Sequence, residues 1–117
     1  MNKSFVTLAT GLMFSGLFIM GAAFADGDAA AGKDKAQACA ACHGADGLST
    51  SDQFPILAGQ YKDYIIQALH EYKNGGRNNP IMKGMAADLS EDDIRNLAEY
   101  FASLPGPLHT IPQGGEH

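Results

Sequence analysis

The sequence predicts an all-α domain of three to four short helices joined by long irregular loops. Three observations carry that expectation: apolar residues recur at helical spacing in two separate runs, polar caps stand where helices would begin, and no useful stretch alternates apolar and polar residues. At 117 residues the chain has room for one domain.

Residues 1–25 read as a cleavable secretory leader. Lys3 precedes an uncharged apolar run from Phe5 to Phe24, and Ala23 and Ala25 form an A-x-A box, so the mature chain is expected to begin at Asp26. The run is nearly long enough to span a bilayer, but Gly11, Ser15, Gly16 and Gly21 interrupt it. Either way the domain is expected outside the cytoplasm, in the periplasm. Losing the leader removes Lys3 and no acid, leaving 7 basic against 13 acidic residues and a net charge of −6. That balance argues against nucleic acid and anionic membranes as partners, because both demand a basic face. What remains is small, lacks tryptophan and has few large aliphatics before Gln53, so it would fold more convincingly around something large and apolar.

The elements follow in order. "DAAAGKDKAQACAA", from Asp28 to Ala41, is an alanine-rich first helix led by an acidic cap and ending at a cysteine pair. Residues 43–60, "HGADGLSTSDQFPILAGQ", form a long loop without period, of a length that tends to be functional. Residues 61–73 place Tyr61, Tyr64, Ile65, Ala68, Leu69 and Tyr72 at helical spacing, and "NGG" stops that second helix. A further loop runs through "NGGRNNPIMKGMAADL". Ser90 with Asp93 three positions later opens a third helix whose stripe is Ile94, Leu97, Ala98 and Phe101, and "PGP" closes it after Leu104. The domain is expected to span 26–105, with 106–117 a loosely ordered tail.

Both cysteines lie in "AQACAACHGADG", and four chemistries compete for them. A disulfide across two residues would constrain little chain. A thioredoxin-like centre needs a strand before the motif, and none is in view. Zinc needs a second ligand pair, yet His70, His109 and His117 are scattered singly. C-x-x-C-H is also the attachment signature of c-type haem, and here every part has a task. The thiols of Cys39 and Cys42 add to the two vinyl groups of the porphyrin, and His43 lies under the ring to ligate iron. Export agrees, since such thioethers form outside the cytoplasm, so one covalent haem c is expected.

With "GDAAAGKDKAQACAACHGADG", "FPILAGQYKDYIIQAL" and "YKNGGRNNPIMKGMAADLSEDDIRNLAEYFASL", the chain resembles the class I c-type cytochromes over almost all of residues 27–104. It is especially similar to bacterial ones that look like one half of a di-haem cytochrome c. The resemblance implies the cytochrome c fold wrapped round the haem, with His43 and a methionine as axial iron ligands. Met82 is favoured, standing seven residues before Leu89 as in related carriers; Met85 is the alternative and otherwise a packing residue. Pro55 matches a proline whose carbonyl accepts from the axial histidine. Gly32 with Tyr100 or Phe101 fits the crossing of the terminal helices. Tyr61, Tyr64 and Arg77 either reach the haem propionates or cover the core, with core favoured for the tyrosines.

The implied function is a one-electron carrier rather than an enzyme, because filled axial positions leave iron no open site. Transient docking with redox protein donors and acceptors is expected, as a monomer and without membrane insertion once the leader is gone. The alternatives are an electron-relay subunit of a larger respiratory complex, and a haem enzyme or gas sensor with an open iron site.

Overall fold

A computed structural model describes residues 26–108; the expected leader at 1–25, and residues 109–117 with His109 and His117, lie outside the described residues. Five helices and no strand occur within them: α1 (Ala29–Lys35), α2 (Gln37–His43), α3 (Lys62–Asn74), α4 (Pro80–Ala86) and α5 (Glu91–Ser103). None is long and apolar enough to cross a membrane.

The all-α expectation holds, with two changes in the helices. The expected first helix is two, because Ala36 opens to ψ −9° and its amide turns to the carbonyls of Asp34 and Gly32. The second piece runs on through His43 and stops where Gly44 takes φ +85°. The loop expected between residues 74 and 89 contains α4. Asn79 caps it by accepting from the Met82 amide at 3.0 Å, and Pro80 enters the first turn, where a missing N–H costs nothing.

α5 organises the core. The Ser90 hydroxyl accepts from the Asp93 amide at 3.0 Å and the Asp93 carboxylate accepts from the Ser90 amide at 2.9 Å, a reciprocal capping box. The helix buries Ile94, Leu97, Ala98, Tyr100 and Phe101 against α1 and α3. Each large side chain there contributes roughly 1.5–3 kcal/mol on leaving water. Where α1 crosses α5, a Cβ on Gly32 would lie 2.0 Å from the Asn96 carbonyl oxygen, so only glycine permits the approach. The Asp28 amide donates to Asn96 Oδ1 at 2.7 Å beside it.

Among the described residues the large buried side chains are few: Ile65, Ile94, Leu97, Tyr100 and Phe101. Tyr61 and Tyr64, expected in the core, are instead 52% and 45% exposed. α3 buries Ile65 alone, and its tyrosines fall outside that narrow contact. The helices close around a space more than they fill one.

Candidate functional site

That space is a cavity of about 500 Å³ between α2, the 44–61 loop, α3, α4 and α5. Cys39, Cys42, His43, Pro55, Met82 and Met85 all line it, so one wall carries the thiols and imidazole while α4 contributes the thioethers. Leu57, Ile65, Leu69, Leu97 and Phe101 make the remainder largely apolar.

His43 is 6% exposed, and its Nδ1 lies 2.8 Å from the Pro55 carbonyl oxygen. A carbonyl only accepts, so Nδ1 carries the proton and Nε2 keeps the lone pair that a metal ion takes. Phe54 meets the imidazole edge-on at 6.3 Å and further restricts its rotation. Helix α2 therefore supplies the histidine, and the loop orients it.

Cys39 is half-buried and Cys42 is exposed. Burial first, and the neighbouring Cys42 second, push the Cys39 thiol above its ordinary pKa. Among the described residues no three His, Cys, Asp or Glu side chains converge as a metal site. His70, expected at the surface, is partly exposed and pairs with Glu91 at 2.9 Å.

On the far wall α4 projects Met82 and Met85 to the cavity; Met82 is half-buried and Met85 is 43% exposed. Among the described residues Arg77 is the only permanently charged side chain in the lining. It sits over the rings of Tyr64 and Tyr72, at 5.4 and 5.5 Å from their centroids, and its Nε donates to Glu71 Oε2 at 2.5 Å. Glu71 foremost, then Tyr64, hold the guanidinium above its ordinary pKa. Sequence reasoning singled out Arg77 but missed Glu71, Tyr72 and Asn79. Only Asn79 had a signal, a capping residue directly before proline.

A large apolar cavity, paired thiols, a buried imidazole with a free lone pair and thioethers opposite suit a flat iron macrocycle tethered at one edge; together they define an all-α haem protein. The family model for cytochrome c matches residues 29–105. A cytochrome c4 of Pseudomonas aeruginosa is 47% identical over 103 residues, covering 88% of this chain and 49% of the relative. A cytochrome c-554(548) of Halomonas halodenitrificans is 42% identical over 80 residues, covering 66% of this chain and 96% of that protein. The crystal structure of reduced recombinant cytochrome c4 from Pseudomonas stutzeri aligns with a TM-score of 0.67 at 41% identity, covering 70% of this chain and 48% of that one. The chain belongs to the cytochrome c family, and its cofactor is a covalently bound haem c to which the Cys39-Cys42-His43 motif is fitted. It spans about half the length of the cytochrome c4 relatives.

Proposed function

We propose that this domain is a periplasmic one-electron carrier rather than a catalyst, exported by the leader at 1–25 and folded over residues 26–105. The observation that carries the reading is the buried His43 imidazole, oriented by Pro55 and lining the same cavity as the methionines of α4. When bound, the haem supplies reversible one-electron chemistry at iron. Cys39 and Cys42 would hold its edge, and His43 Nε2 and Met82 would ligate its iron, with Met85 the alternative to Met82. Met82 is supported by its deeper burial and by the Asn79 cap that fixes its amide. A thioether ligand and an apolar enclosure both favour ferrous iron and raise the potential. Leu57, Leu97 and Phe101 keep water from the cavity while the exposed Cys42 and Met85 mark an edge open to partners. Such partners are redox proteins that dock briefly through small interfaces, and the carrier works as a monomer.

The test is the absorption spectrum of the oxidised protein. A weak band at the red end, from methionine-to-ferric charge transfer, is expected in the wild type and in Met85→Leu and is lost in Met82→Leu; the reverse pattern assigns the ligand to Met85. Intact mass of exported protein reads cleavage and attachment together. A mass equal to the bare chain from Asp26 would defeat the carrier reading.

A further inference from the structure

Among the described residues the cavity lining holds one permanent charge, and how that charge is held has a direction. Arg77 lines the cavity, whereas Glu71, its partner at 2.5 Å, is not part of the lining. The pair is thus a fixed dipole with its positive end on the cavity and its negative end behind. Three groups limit its movement. Glu71 engages Nε, the Tyr64 hydroxyl lies 3.3 Å from both terminal nitrogens, and the Tyr72 ring lies across the guanidinium at 5.5 Å. Gln67 Nε2 donates to the other Glu71 oxygen at 2.8 Å, so the carboxylate is itself anchored within α3. Arginine suits this use because its planar fork stacks on rings and stays charged.

We infer that Arg77 tunes the redox equilibrium of the bound iron electrostatically, and that Glu71 is the positioning residue that both holds the guanidinium on the cavity wall and offsets part of its charge. This rests on the carrier reading and goes beyond it, since the axial ligands and thioethers explain attachment without any role for this pair. A cation beside the cavity opposes the additional positive charge of ferric iron, and a carboxylate behind it relieves that opposition. Both side chains are about a third exposed, so solvent screens the effect and keeps it moderate.

The two charges act with opposite signs, which separates this role from a structural one. In the haem-loaded protein, Arg77→Gln is expected to lower the midpoint potential and Glu71→Gln to raise it. Each corresponds to roughly a two- to tenfold change in the ferric-to-ferrous ratio at a fixed applied potential. The double variant returns toward the wild type, and Arg77→Lys, which keeps the charge, lies closer to the wild type than Arg77→Gln. If the pair merely closes the cavity, both single variants admit water and both lower the potential, because loss of burial does so. That same-sign outcome, or no shift in either variant, overturns the inference. Should Arg77→Gln fail to fold, the sign for Glu71→Gln still decides, because its cation remains. Failure of the carrier reading would show differently, as protein without attached haem and without a midpoint to measure.

Discussion

His43 Nδ1 and the carbonyl oxygen of Pro55 stand 2.8 Å apart, joining the last residue of α2 to the long loop that follows it. One hydrogen bond here sets both the proton's position on the ring and the direction of the remaining lone pair. Because the acceptor is backbone, no substitution deletes it, but proline fixes the φ that aims it. Pro55→Ala is expected to loosen the bond and make the imidazole a less basic ligand, favouring ferrous iron. The expected change is a rise in midpoint potential equivalent to about 1 kcal/mol, the usual net value of such a bond. Potentiometric titration of the haem-loaded variant checks it; an unchanged or lower midpoint contradicts this role for Pro55.

Gly32 tests the frame rather than the site. Its absent Cβ makes room for the Asn96 carbonyl oxygen at 2.0 Å and Tyr100 Cβ at 2.8 Å, and the first of these is backbone that no rotamer change relieves. Gly32→Ala must therefore separate α1 from α5. Overpacking of this kind costs about 1–3 kcal/mol or more. Thermal unfolding followed by far-UV circular dichroism should show a lower midpoint, and a gain in stability from alanine's helix propensity would contradict the close approach.

Much of this frame could be read from local sequence, because α5 announces itself within one turn. Ser90 and Asp93 satisfy each other's amides, and the apolar stripe behind them has one period. α4 was missed for a physical reason: Pro80 and Gly84 are usually breakers, yet Pro80 occupies the one helical turn that tolerates it, and Asn79 supplies the cap. The break at Ala36 has no marker, since alanine favours helix and a change in ψ alone divides α1 from α2. The sequence motifs pointed to Cys39, Cys42, His43, Pro55, Met82 and Met85, and folding brings all six to one cavity. The Glu71 and Arg77 pair was not legible, because it depends on the chain turning back through Gly75 at φ +85° after α3 ends.

The cavity also dictates what happens without its cofactor. Leu57, Ile65, Leu69, Leu97 and Phe101 line that space, and with no haem against them their apolar surface is left facing water, which favours collapse of the lining onto itself. The apoprotein must collapse or unfold rather than hold this shape. Protein carrying Cys39→Ala and Cys42→Ala, purified free of haem, is expected to bind a hydrophobic dye and melt without a sharp transition. Sharp, cooperative melting comparable to that of the haem-loaded protein would contradict this account of the core.

Acid should weaken the molecule at the start of α5. The Ser90 amide foremost, and Lys35 at 3.1 Å as well, hold the Asp93 carboxyl below its usual pKa. A group depressed in the folded state adds stability that is complete well above the unfolded value of about 3.9 and is lost as pH falls through the folded value. Protonated Asp93 no longer attracts Lys35 and accepts more weakly from Ser90, so the N-terminal turn of α5 loosens in acid. Asp93→Asn removes the titrating group and should flatten the dependence of unfolding free energy on pH below about 4. Ser90→Ala instead removes one half of the capping box and should cost about 1 kcal/mol even at neutral pH. Denaturant unfolding of both variants at pH 7 and between about pH 3 and 5 separates the contributions. If Asp93→Asn loses stability with acid as steeply as the wild type, the depressed carboxyl that matters lies elsewhere, with Asp26 beside Lys62 the next to examine.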